Sequence, residues 1–288
     1  MPALKDIRRR IASVKSTQKI TRAMKLVAAA KLRRAQGAIV GARPYARKVA
    51  EIVAELALRA ERTQHPLLAD REPQRVLLVV LSADRGLCGA FNTNIIRATE
   101  HFREQLSAAG QTAQLVVVGR KGRDYYRYRR VALEDYLPGV DTNSAIPRAE
   151  ALAALVSDHF ISGQVDRVCV VYTAFKSAMS QAVAVEQLLP VVPAARTGGD
   201  EAPLDFLYEP SERELLATML PIYVRVELQR AALEAIASEH GARMTAMENA
   251  TTNAAEMARS LTLEYNKARQ TSITKELLEI IAGAEALR

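Results

Sequence analysis

Two proline-poor stretches, one at each end, repeat apolar residues every three or four positions and set the main constraint on this 288-residue chain. In the first, no proline occurs between Pro2 and Pro44. Leu4, Ile7, Ile11 and Val14 open a register that continues through Gln18, Thr21, Lys25, Ala28, Leu32, Ala35 and Ile39. This is a heptad seam with a small or polar middle. Val49, Ile52, Val53 and Leu56 carry an apolar stripe past Pro44, so the helix is expected to kink there or resume beyond it; loop signals come only at His65–Pro73. In the second stretch no proline follows Pro221. Met219, Ile222, Val226, Leu233, Ile236, Met247, Ala250, Ala254, Met257, Leu261 and Ala268 share one register, and Ile273, Leu277, Ile280 and Ile281 follow. A helix from about 210 to 285 is on the order of 110 Å long at 1.5 Å per residue. A globular core cannot hide such a rod, so it has to pair with another helix. The N-terminal stretch offers the complementary stripe, and Ala28, Ala35, Ala250 and Ala254 allow close approach.

The middle of the chain has another texture. Val76–Leu81, Leu115–Val118 and Val168–Val171 are short continuous apolar runs, the pattern of strands buried on both faces of a parallel sheet. A helical pattern (Ile95, Ile96, Phe102, Leu106) ends at Gly110, and another spans 147–162 between Pro147 and Gly163. This alternation predicts an open α/β sheet. The stretch 175–189 offers a further strand, and TGGDEAP at 197–203 reads as a loop into the last helix. The chain thus divides into residues 1–72, 73–207 and 208–288.

Charge is unevenly placed. Residues 1–50 carry six Lys and eight Arg against the single acid Asp6, whereas the whole chain carries only +8, so the remainder is net acidic. A basic arm calls for an acidic partner: nucleic acid, an anionic membrane surface, or acidic protein loops. Cys88 and Cys169 stand far apart without a CxxC partner, and the four histidines show no metal-ligand spacing, so neither a disulfide framework nor a metal site is expected. No run is long and apolar enough to span a bilayer, and the N-terminus resembles neither a secretory signal nor a transit peptide.

A parallel sheet invites a search for a phosphate grip. Neither GxGxxG nor GxxxxGK[ST] follows the first strand. The turn there, Ser82–Asn92 (SADRGLCGAFN), has glycines that suit a tight strand-to-helix connection as well as a phosphate. Cys88 lies near Arg85 without a histidine close in sequence. GRKGRDYYRYRR at 119–130 interleaves arginine with tyrosine, a pattern compatible with stacking on single-stranded nucleic acid, with a solvated face or with a protein contact. No catalytic constellation emerges.

Two stretches are more specific. Residues 24–36 read MKLVAAAKLRRAQ, preceded by STQKITR at 16–22, and residues 265–285 read YNKARQTSITKELLEIIAGAE. With DRGLCGAFN between them in order, they closely resemble the γ-subunit family of F-type ATP synthases, over essentially the whole chain. The resemblance implies an antiparallel coiled coil of the terminal helices inside a ring of α and β subunits. It also implies a Rossmann-like open α/β domain facing the c-ring of the membrane sector and the ε subunit. It makes the chain a non-catalytic rotor driven by proton or Na⁺ flow, with nucleotides and Mg²⁺ held by α and β and no cofactor of its own.

By motif match, Met24, Lys25, Lys31, Arg33 and Arg34 on the first helix, and Arg243, Arg269, Gln270 and Thr274 on the last, are expected at the ring contact. Arg85 is a candidate ionic catch to the ring. The basic arm then meets acidic stator loops and not nucleic acid. The dithiol insert of the chloroplast relatives is missing, so redox control is not expected. Absence of a transit peptide points to a bacterial complex, peripheral on the cytoplasmic side of the inner membrane. The rival readings are a basic coiled-coil nucleic-acid-binding protein and a Rossmann-type enzyme with helical appendages.

Overall fold

Both terminal stretches fold as single helices, α1 (Leu4–Arg59) and α5 (Glu212–Ala286). The structure, a computed structural model, describes residues 4–59, 65–178, 180–192 and 211–286. Pro44 lies inside α1 and Pro221 inside α5. A proline removes a backbone bond and costs an isolated helix about 3 kcal/mol. Here apolar side chains are buried on the far side of Pro44 (Val49, Val53, Leu56) and around Pro221 (Leu216, Leu220, Val224, Leu228), and this cover holds each helix through its proline. Along α1 the covered positions keep 3–4 spacing without a break from Ile7 to Leu56.

Contacts divide the chain into two units, Met1–Ala28 with Met244–Arg288, and Ala29–Arg243; both divisions fall within the long helices. In the first unit α1 and α5 run antiparallel. Lys25 pairs with Glu248, Thr251 Oγ1 donates to Thr21 Oγ1 at 2.7 Å, and Lys15 and Gln18 share a groove with Ala255, Ala258 and Thr262. Ile7, Thr21, Ala28, Met247, Ala254 and Ala258 are its buried positions. One expected seam residue is displaced: Met257 is 55% exposed and Ala258 takes its place. Both lie three or four residues from Ala254 and Leu261, and the smaller side chain is the one that lets the backbones approach. The apolar repeat beyond the seam (Ile273, Leu277, Ile280, Ile281) is exposed.

The second unit is built on a five-stranded sheet: β1 (Arg75–Leu81), β2 (Thr112–Val118), β3 (Asp135–Leu137), β4 (Arg167–Phe175) and β5 (Gln181–Leu189). The order is β3-β2-β1-β4-β5, parallel throughout except for β5, which runs antiparallel to β4. The helices α2 (Phe91–Ala108), α3 (Arg120–Tyr128) and α4 (Ala145–Ile161) alternate with the strands. Continuous apolar runs follow from cover on both faces. Leu77, Val79, Leu81, Val116 and Val170 pack with α4, with Val49–Leu56 of α1 and with Leu216–Ala235 of α5. Val76, Leu78, Val80, Leu115 and Val117 pack with α2 and with Tyr126 of α3. Gly110 and Gly163 take positive φ just past the ends of α2 and α4, the usual helix-stopping role of glycine. β3 escapes sequence reading because it is only three residues long with Pro138 after it. The loop at 197–203 lies outside the described residues.

Both cysteines are buried and unbridged. Burial pushes the Cys169 thiol up to about 11, despite the nearby Arg167, which suits a small hydrophobe.

Gly119 starts α3 at φ +95°, and a Cβ there would overlap the Ser82 carbonyl. Gly119→Ala combines backbone strain with overpacking and should cost about 3 kcal/mol or more, read as a fall in the urea unfolding midpoint. A midpoint equal to wild type would show that this junction is slack.

Candidate functional site

The crevice beyond the carboxyl ends of the strands is where doubly wound sheets bind ligands, and here it is filled by the chain itself. Ser82 Oγ donates to Val118 O at 2.8 Å and accepts Gly122 N–H at 3.0 Å. Asp84 Oδ1 accepts Arg120 N–H at 2.8 Å and Gly139 N–H at 3.0 Å. The first amides of α3, which a phosphate would seek, are thus engaged by β1's own continuation. A Cβ on Gly122 or Gly139 would collide with Ser82 or Asp84, so the backbone is drawn tight around both side chains. The DRGLCG turn closes similarly: Asn92 Oδ1 accepts Ala83 N–H at 2.9 Å, and Leu87 and Gly89 supply positive φ. The cavity between Ser82, Phe91, Val140 and Glu239 is about 10 Å³, room for no more than one water.

In the second unit, three contact candidates from distant parts of the sequence converge beside this turn. Arg243 is 11% exposed; its guanidinium meets Glu239 Oε1 at 2.8 Å, His240 Nδ1 at 3.2 Å and Gly86 O at 3.3 Å, next to Arg85. It binds α5 to the DRGLCG turn, an internal role that motif matching did not anticipate. Lys31, exposed on α1, acts electrostatically on Glu239, His240 and Asp141. Burial raises Glu239 against the downward pull of Arg243. Burial, reinforced by Arg243 and Lys31, lowers His240 to about 4, so its ring is neutral at pH 7 and accepts from Arg243. Glu239 and His240 were not anticipated, though Glu239 sits four residues before Arg243, the spacing of a helical ion pair. Arg33, Arg34 and Arg85 are exposed.

In the first unit, Met24 is half-buried, and Lys25 is tied to Glu248 in a partly exposed pair. Such a pair contributes about 0–1 kcal/mol. Arg269, Gln270 and Thr274 lie on the exposed part of α5, where Thr274 Oγ1 donates to Gln270 O at 2.9 Å. Around them Ile273, Leu277, Leu278, Ile280 and Ile281 stand between 49% and 68% exposed. An apolar group of this size facing water is the mark of a surface that another body covers. Among the described residues no helix is long and apolar enough to cross a membrane, and no cluster of His, Cys, Asp and Glu has the form of a metal site.

Comparisons with known sequences extend over essentially the full length. The family model described as ATP synthase matches residues 3–287. An ATP synthase gamma chain from an Anaeromyxobacter species is 52% identical over 291 residues, covering all of both chains. That of Geobacter metallireducens is 46% identical over 288 residues, again covering all of both. Among solved structures, a chain from the central stalk and c-ring of the Tetrahymena thermophila mitochondrial ATP synthase aligns with a TM-score of 0.61 at 26% identity, over 80% of this chain and 99% of that one. A chain from the Euglena gracilis mitochondrial ATP synthase rotor shares the fold at a TM-score of 0.67 and 21% identity, over 94% and 98%.

The buried His240 gives a pH signature. Its folded pKa lies below the unfolded value, so its contribution to stability is intact above about 6.5 and is lost as pH falls towards 4. Between pH 7 and pH 5 the loss is on the order of 2 kcal/mol. His240→Gln should flatten the stability profile in this window; equal slopes for wild type and variant in urea unfolding would refute the assignment.

Proposed function

The chain belongs to the ATP synthase family as a gamma chain, and on that premise we propose that it is the central-stalk rotor of a bacterial complex. It couples ion flow through the membrane ring to conformational change at the catalytic sites of the α/β ring. The observation that carries this reading is the last stretch of α5. Beyond the seam it leaves α1's cover and presents Ile273, Leu277, Ile280 and Ile281 to solvent on a continuous helix. A sleeve of other subunits would cover these residues and let the helix turn within it, because apolar contact is non-directional.

The exposed cations Lys31, Arg33 and Arg34 suit acidic loops of the surrounding ring. Met24, Lys25, Arg85, Arg269, Gln270 and Thr274 belong to the same proposed contact. Exposed ion pairs worth about 0–1 kcal/mol each form and break readily as the rotor steps, whereas deep buried pairs would hold it. Arg243 contributes from within by bracing the helix against the turn that carries Arg85. The α/β domain would engage the ε subunit and the c-ring, with nucleotides and Mg²⁺ on α and β. The complex would lie peripherally on the cytoplasmic side of the inner membrane. Membership over residues 3–287 accounts for both helices and the sheet together, which a nucleic-acid-binding coiled coil does not.

Two measurements test the proposal. Reversal of Lys31, Arg33 and Arg34 to Glu should lower ATP-driven proton pumping by inverted membrane vesicles several-fold relative to ATP hydrolysis; unchanged pumping would reject the ring contact. Ile280→Asp with Ile281→Asp should weaken recovery of α and β subunits with this chain from solubilised membranes. Each substitution removes apolar burial worth roughly 2 kcal/mol. Full recovery would show that the tip is not covered by the ring.

A further inference from the structure

The helix α3 is not accounted for by the rotor reading. Together with the two residues that follow it, it carries Arg120, Lys121, Arg123, Arg127, Arg129 and Arg130 against the single acid Asp124. Its inner side is fixed by Gly122 against Ser82 and by the fully buried Tyr126. The cations on the helix are exposed or half-exposed, with Arg120, Arg123 and Arg127 in one 3–4 row; Arg129 caps the helix, and Arg130, at φ +56°, lies just past its end and is exposed as well. Asp124 is used up by Arg123, at 2.8 and 3.1 Å. Among the described residues no acid pairs with Arg120, Lys121, Arg127 or Arg130.

The arrangement is electrostatically unfavourable on its own. Like charges three and four residues apart repel along a helix, and cations at a helix N-terminus oppose its dipole. Two of the guanidinium groups are nonetheless held in place: Arg123 lies 4.7 Å from the Tyr136 ring centre and Arg129 5.2 Å from that of Tyr125. Beside them Tyr128 is 88% exposed.

We propose that this outer face of α3 is a docking surface for a carboxylate-bearing protein segment of the same assembly. Five of the six cations are arginine, whose planar fork matches a carboxylate with two parallel bonds. Arginine and tyrosine are also the residues that concentrate binding energy at protein interfaces. Positive charge that the chain's own acids pair only at Arg123 is complementary to clustered Asp and Glu. Nucleic acid fits less well, because stacking needs successive free rings; Tyr126 is buried and Tyr125 lies under Arg129, which leaves Tyr128 alone. A membrane surface also fits less well, since residues 119–130 contain no Leu, Ile, Val, Met, Phe or Trp to enter the apolar layer.

The test uses the intact complex purified from native membranes, with Tyr128 replaced by the photo-reactive p-benzoylphenylalanine. The inference rests on the central-stalk reading for the choice of this preparation. Co-purification of α and β subunits is scored first, so failure of that reading is seen before irradiation. The expected result is an adduct to one subunit, at a peptide rich in Asp and Glu. Its yield should fall several-fold with Arg127→Glu plus Arg130→Glu, and less with the corresponding Gln variants, at an unchanged unfolding temperature. An adduct to lipid or nucleic acid, no adduct, or a protein adduct whose yield is indifferent to charge reversal would each overturn the proposal.

Discussion

Cover for the apolar side chains of α5 is the constraint on which this fold depends, and the helix meets it in two ways. From Leu216 to His240 it is buried on most of its circumference, with Leu220, Val224, Leu228, Ala231 and Ala235 against one face of the sheet and against α4. A helix apolar all round belongs in a core. From Met247 onward only every third or fourth residue is covered, and the partner is the antiparallel α1. Each fully buried leucine or valine contributes about 1.5–3 kcal/mol, far more than the polar ties. Arg230 illustrates the difference. It joins Glu227, Glu234 and Glu186 and donates to Tyr172 Oη at 2.9 Å, yet its side chain is one-third exposed and its ion pairs are screened. Apolar burial holds α5 to the sheet, and Arg230 fixes its rotation and register.

The sheet has the strand order of a dinucleotide-binding domain without such a domain's vacancy. Ser82 and Asp84 occupy the helix-terminal amides that a phosphate takes in nucleotide-binding relatives of the fold, and glycines at 119, 122 and 139 bring the backbone close around them. The same architecture thus serves as a rigid block, in keeping with the general independence of fold and function. What it presents to its surroundings is charge: a basic α3, and next to its first turn the Lys31–Glu239–Arg243 cluster at the DRGLCG turn.

The heptads of α1 were legible because side chains spaced three and four residues apart fall on one helix face whatever lies opposite; Ile7, Thr21, Ala28, Leu32 and Ala35 are all covered. The buried strands were legible because cover on both faces makes VLLVVL apolar without alternation. In the last helix Met257 misled because hydrophobicity favours the larger residue, whereas the distance between backbones selected Ala258. The proposed contacts were only partly legible. Arg33, Arg34 and Arg85 are exposed as a contact requires, but Arg243 is enclosed by Glu239, His240 and Gly86.

By itself, the sequence determined that the ends of the chain are long helices with complementary seams, that the centre is a parallel sheet, and that the chain resembles a rotor subunit. Those properties depend on local periodicity and on matched runs of residues. The tertiary structure alone decided which of two neighbouring residues enters the seam, which arginine faces inward, and that the sheet's crevice is sealed by Ser82 and Asp84. Each of these depends on groups from 36 to at least 230 residues apart in sequence, brought together only when the sheet and helices pack.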